Sequence, residues 1–177
     1  MKHCSDCGEK TIHTIPEGED RLRHVCSACN TVHYQNPNVV VGTLLTKGSQ
    51  VLLCRRAIEP RYGYWTLPAG FLENGESMME GARRETYEEA GANPTSLSLY
   101  HLFSVPHISQ VHAFYHSEYH GDVSAGIESL EVRWFDVETL PWNDLAFPTV
   151  FQCLKRWQEN PTDLSVKEDT LERTTRS

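Results

Sequence analysis

The chain has 177 residues, 39% of them hydrophobic and 23% charged, with a formal net charge of −8, which describes a soluble globular chain of one ordinary domain plus a small appendage. Its acidic balance excludes a basic nucleic-acid platform, and no run approaches the roughly 20 apolar residues of a membrane span. The opening MKHCSDCGEK carries no apolar signal core, so the cytoplasm is the expected compartment, with neither membrane nor nucleic acid as partner.

Residues 1–36 carry Cys4-x-x-Cys7 and, after 18 intervening residues, Cys26-x-x-Cys29. Each knuckle presents two thiolates to one ion, and two knuckles complete a tetrahedron around a structural Zn²⁺. Two disulfides or a redox dithiol fit the same spacing; the lack of a secretion signal favours zinc. His3, His24 and His33 read as surface residues or neighbours of the ligands, and Cys54 and Cys153 as small buried hydrophobes.

Residues 39–45 (VVVGTLL) read as a central strand, 47–49 as a turn, and 50–56 (QVLLCRR) as the returning strand. Arg55 and Arg56 must face opposite sides of it. The segment YGYWTLPAG over 62–70 follows, with Trp65 read as a core aromatic.

The informative stretch is 70–92, GFLENGESMMEGARRETYEEAGA. Ser77 and Glu80 have the spacing of a capping box, and Gly91 stands where a left-handed cap belongs, with Pro94 beyond. Met79, Ala82, Thr86 and Ala90 share one face, predicted to pack inward. Glu85, Glu88 and Glu89 stand at i, i+3 and i+4, so three like charges share a patch near the end of the helix where the macrodipole disfavours anions. A solvated acidic face is one reading. A hard divalent cation held by the carboxylates is the other.

Beyond the helix, 98–105 and 110–119 read as strands around Pro106. His101, His107, His112, His116 and His120 fall in this region and read mostly as sheet-surface residues, any one of which can still line a substrate pocket. Residues 127–135 form a loop feeding a strand, 149–157 a final amphipathic helix, and 161–177 a polar, flexible tail.

The frame around the acidic helix resembles the Nudix box, G-x5-E-x7-R-E-U-x-E-E-x-G-U. Gly70, Glu76, Arg84, Glu85, Glu88, Glu89 and Gly91 match at the required spacing. Thr86 and Ala92 depart, standing where the family prefers larger aliphatics. The resemblance implies an α/β fold, an α/β/α sandwich with a mixed sheet over residues 37–160, preceded by the zinc ribbon. It implies Glu85 and Glu89 as main ligands of Mg²⁺ or Mn²⁺, Glu88 as ligand or base, and the Ala69 carbonyl as a further ligand. Arg84 would orient the carboxylates and Glu76 brace the loop, with Gly70 and Gly91 supporting the box. Arg56 would reach the diphosphate. An extra acidic residue is expected on the loop before the last strand, with Glu131 the better candidate and Glu128 the runner-up.

The ribbon and the linker TVHYQNPNVVVG are similar to those of Nudix enzymes of the NADH pyrophosphatase group and of plant FAD or ADP-ribose pyrophosphatases. The expected reaction is hydrolysis of the diphosphate bond of a nucleotide substrate, ADP-ribose or FAD, releasing AMP. NADH is the alternative substrate; only Ser109-Gln110, Pro141-Trp142 and Phe147-Pro148 echo the array that marks that group. A non-catalytic nucleotide sensor is the rival of another class, and the intact set Glu76, Glu85, Glu88 and Glu89 argues against it. The resemblance allows a homodimer, which no residue pattern here specifies.

Overall fold

The computed structural model describes residues 1–173, which divide into two compact units, Met1–Pro37 and a larger one from Asn38 onward. In the first, β1 (Thr11–Thr14), β2 (Arg23–Cys26) and β3 (Val32–His33) form an antiparallel sheet. The four cysteines lie at its turns and at the end of β2.

The larger unit is built on β4 (Asn38–Lys47), whose apolar run is buried on both faces. It turns through Gly48 into β5 (Gln50–Arg56). The short strands β6 (Trp65–Thr66) and β7 (Ala69–Phe71) pair with β5 and β4 respectively. Helix α1 (Met78–Ala90) follows, then β8 (Ser98–Val105), β9 (Gln110–Glu118), β10 (Ser129–Asp136), α2 (Pro148–Glu159) and β11 (Lys167–Thr170). The sheet runs β10-β5-β4-β9-β8-β11. It is mixed, because β4 with β9 and β8 with β11 pair in parallel while the other ladders are antiparallel.

The two helices cover opposite faces. Ala82 of α1 packs with Val41, Ala113 and Tyr115. Val150, Leu154 and Trp157 of α2 pack with Leu44, Leu53, Phe103 and Phe114. This is the expected α/β/α sandwich.

Helix α1 begins and ends as its sequence predicts. The Ser77 hydroxyl accepts from the Glu80 N–H at 3.3 Å, and the Glu80 carboxylate accepts from the Ser77 N–H at 2.8 Å. Gly91 closes the helix at φ 63°, donating to the Tyr87 carbonyl at 2.9 Å. Met79, expected inside, is exposed; Gly81, Ala82, Thr86, Glu89 and Ala90 make the buried stripe. Thr86 is tolerated in the core because its hydroxyl donates to the Ala82 carbonyl at 2.6 Å and accepts from Thr43 at 2.7 Å. Ala92 is fully buried in a cluster with Leu45, Leu52 and Cys54, so it fills a core position as the family's larger aliphatics do.

The segment expected as a flexible tail contains β11, paired to β8 from Lys167–His101 to Thr170–Ser104. Its charged sequence hides a docked strand. Arg156 donates to the carbonyls of Tyr100 at 2.8 Å and Ser165 at 2.7 Å, and Asp169 meets the His101 ring at 2.8 Å. His101, expected on the sheet surface, is therefore buried. Residues 174–177 of that expected tail lie outside the described residues. Among the described residues no helix is long and apolar enough to cross a membrane.

Candidate active site and cysteine centre

In the N-terminal unit the sulfurs of Cys4, Cys7, Cys26 and Cys29 all lie within 4.8 Å of one another. Individual separations of 3.4 to 3.7 Å are close to the roughly 3.8 Å edge of a tetrahedron with Zn–S bonds of about 2.3 Å. Without a metal the Cys29 thiol is pulled down to about 6, first by the Thr31 hydroxyl and then by the Thr31 backbone, while, against the pull of the Glu9 backbone, hydrogen bonds with Cys26 and Cys29 hold Cys7 up. The donor set fits a closed structural Zn²⁺ site. His33 Nε2 sits 3.2 Å from the Cys4 sulfur, a neighbour of the ligands.

In the larger unit a cavity of about 840 Å³ opens between α1, β7, β9 and the start of α2. Helix α1 delivers Arg84, Glu85, Glu88 and Glu89 to it, and β7 delivers Ala69 and Gly70. Arg84 organises this wall. Its Nε and Nη2 grip both oxygens of Glu76 at 3.0 and 2.6 Å, and its Nη1 reaches Glu85 at 2.7 Å and Glu88 at 3.2 Å. Nη2 also donates to the Phe71 carbonyl at 3.1 Å. The Arg84 fork, aided by the Glu73 N–H, holds the Glu76 carboxyl down to about 2. Glu76 thus ties the loop to the helix, in the position its sequence spacing predicts.

Glu89 is 6% exposed and accepts from the Ala69 N–H at 3.0 Å. Burial pushes its carboxyl up to about 8; the Ala69 N–H opposes this and the Glu85 charge adds to it. Glu85 is also raised, by burial, against the pull of Arg84. Gly70 lies under Glu85, where any Cβ would overlap the carboxylate.

Among the described residues only the cysteine set brings three or more metal-type ligand atoms within 4.8 Å of one another. The helix carboxylates are held apart, Glu85 and Glu88 by Arg84 and Glu89 by Ala69. Glu85, Glu88 and Glu89 nonetheless line one cavity wall, and carboxylate oxygens are the hard donors that fit a divalent cation such as Mg²⁺ or Mn²⁺.

Arg56 closes the site from β5. It is 9% exposed, donates from Nε to the Pro60 carbonyl at 2.9 Å, and lies over the Phe147 ring at 5.1 Å. Its terminal nitrogens have no hydrogen-bond partner among the described residues. Arg55 instead points away and donates to the Gly63 carbonyl at 2.9 Å. Of the two loop acids, Glu128 lines the cavity and Glu131 does not. A register shift in β10 between Ser129 and Glu131 sets Glu131 opposite Arg55, where it pairs with Arg133. The runner-up is the one at the site.

Across the cavity stand residues the sequence reading did not single out for the site. His112 Nε2 is 2.8 Å from the Gln110 side-chain oxygen, and Nδ1 is 3.2 Å from the Thr149 hydroxyl. Strand alternation alone cannot assign the pocket face to His112, because the partner is supplied by a helix 37 residues away.

Both units match known protein families. The NUDIX domain family matches residues 36–156, and the Nudix N-terminal family, a zinc ribbon, matches residues 2–35. A crystal structure of a NUDIX hydrolase from Nitrosomonas europaea is 45% identical, superposes with a TM-score of 0.88, and covers 97% of this chain and 100% of its own. An ADP-ribose pyrophosphatase from Methanocaldococcus jannaschii is 30% identical over 71% of this chain and 77% of its own length. The human mitochondrial NAD(P)H pyrophosphatase NUDT13 is 30% identical over 86% of this chain but 41% of its own. The NAD-capped RNA hydrolase NudC of Stutzerimonas stutzeri is 32% identical over 79% of this chain and 50% of its own length. The chain thus spans about half the length of its NudC-type relatives.

Proposed function

The chain belongs to the NUDIX family of hydrolases, and we propose that it cleaves the diphosphate bond of ADP-ribose or FAD, giving AMP and the phosphorylated remainder. The observation that carries this reading is one cavity in which a buried arginine, Arg56, faces carboxylates projected from a single helix. A diphosphate resists hydrolysis because its anionic oxygens repel a nucleophile. Glu85, Glu89 and the Ala69 carbonyl would hold Mg²⁺ or Mn²⁺, which would supply the charge neutralisation that lowers this barrier.

The protein's own groups do the rest. Arg56 anchors a phosphoryl group through its unpartnered guanidinium nitrogens. Glu88, the most exposed carboxylate of the three, accepts the proton of the attacking water or serves as a further ligand. Water oxygen bonds to phosphorus, the bridging P–O bond breaks, and the departing phosphate oxygen keeps the electron pair. Glu128 adds a fourth carboxylate at the mouth. Arg84 and Glu76 orient Glu85 and Glu88 and do not touch the substrate.

NADH is the second reading, favoured by the resemblance to relatives named for NAD(P)H and NAD-capped RNA. The test is product analysis with ADP-ribose, FAD and NADH, with Mg²⁺ or Mn²⁺, for wild type and Glu89→Gln. Metal-dependent AMP release that collapses in the variant is expected, with the fastest substrate ranking the two readings. No AMP from any of the three sinks both.

A further inference from the structure

The cavity floor beyond the carboxylates is a cross-strand row. Phe71 pairs with Val40 and Val40 with His112, on strands β7, β4 and β9, spaced about 4.8 Å apart. Alternate residues of a strand share a face, so Gln110 lies on the His112 side of β9. Phe71, Val40, Phe114 and Val150 make this floor mainly apolar. In such a pocket a small number of fixed polar groups decides what binds and in which orientation.

The hydrogen-bond chain along the floor has one direction. The Gln110 side-chain oxygen can only accept, so His112 Nε2–H donates to it at 2.8 Å. His112 Nδ1 is then an acceptor and takes the Thr149 hydroxyl proton at 3.2 Å. Burial holds the imidazole down to about 4, which keeps the ring neutral and able to play both parts. The chain ends at Gln110, which lines the cavity and whose amino group has no partner among the described residues. Thr149, at the start of α2, is buried and anchors the other end.

We propose that Gln110 is a specificity-determining residue, its amino group donating to a hydrogen-bond acceptor on the nucleoside half of the substrate, with His112 and Thr149 as its positioning residues. This rests on the diphosphate-hydrolase reading and extends it. The acceptor belongs either to the base edge or to the ribose. Both are hydrogen-bond acceptors on the part of the substrate remote from the scissile bond. An interaction of that kind is made equally in the ground and transition states, so its loss appears in KM rather than kcat.

The test is steady-state kinetics on ADP-ribose, its hypoxanthine counterpart and its 2′-deoxyadenosine counterpart, with melting temperatures recorded for each variant. Gln110→Leu is expected to raise KM for ADP-ribose about tenfold and to erase the wild type's discrimination against one of the analogues. If the hypoxanthine analogue is the one discriminated, the contact is to the base; if the deoxy analogue, to the sugar. Gln110→Glu keeps the size and removes the donor, and should lose the same discrimination if the leucine variant folds poorly. His112→Phe should raise KM similarly, and the double variant with Gln110→Leu should be no worse than either alone, an effect mere loosening of the floor would not give. Wild-type KM values on all three substrates in both Gln110 variants overturn the inference and leave the hydrolase reading standing. A wild type inactive on this panel and also on FAD and NADH overturns both.

Discussion

Gly70 sits directly against the Glu85 carboxylate, with no space between them for a methyl group. The contact explains why a residue without a side chain stands in the middle of β7, and it makes the placement of Glu85 sensitive to one carbon atom. Gly70→Ala is expected to lower kcat/KM roughly a hundredfold by displacing the Glu85 carboxylate, with little cost in stability because the clashing atoms are the far end of a flexible side chain. Kinetics and thermal melts on the same preparation separate the two; unchanged turnover would mean that the position of Glu85 does not matter to the reaction.

Arg84→Lys keeps the charge and loses the fork that grips both Glu76 oxygens. Metal-dependent activity should fall about 10- to 100-fold, the usual cost of removing a group that orients ligands. Added metal should recover part of the loss. In acid the pair has a defined sign. Glu76 titrates below its unfolded value, so its contribution to stability is present above pH 4.5 and is lost as pH falls from there toward about 2.

Glu89 works in the opposite sense. Its folded-state carboxyl titrates at about 8, above the unfolded 4.5. The stability it contributes is therefore full below pH 4.5 and lost as pH rises through 8, in protein without metal. Metal binding at pH 7 has to displace that proton. Calorimetry in buffers of different ionisation enthalpy should register proton release near neutrality that disappears above pH 8. Glu89→Gln should abolish the release and raise the melting temperature of the metal-free protein at pH 8. A variant that melts earlier under those conditions would contradict the assignment.

For the N-terminal unit the expectation is one zinc per chain by metal analysis. Cys26→Ser should remove it. Chelation should expose the amides of residues 1–37 to hydrogen exchange while β4 and β9 stay protected, because such small units take their folding energy from the metal. Retained protection without zinc would show that the three-stranded sheet holds itself together.

The acidic helix was legible from residue spacing alone because all its determinants are local. Ser77, Glu80 and Gly91 act within four positions of their partners. What escaped depends on distant partners. Strand β11 has the composition of a tail, and only Arg156 and His101, on two other elements, show that it docks. Glu131 ranks above Glu128 in the sequence, and the structure reverses that order because a register shift inside β10 breaks the alternation by which faces are counted. Thr86 read as a flaw in a packing position, and becomes intelligible only with Thr43 beside it.

The parallel pairing of β4 with β9 joins segments about seventy residues apart along the chain. During synthesis β4, β7 and the acidic helix are all made before Gln110 and His112. The nascent chain then carries Glu85, Glu88 and Glu89 with half of the cavity floor still missing, and β4 keeps one open edge until β9 arrives. Ribosomes stalled before residue 110 should therefore hold a protease-sensitive intermediate, and those stalled well past 118 a resistant one.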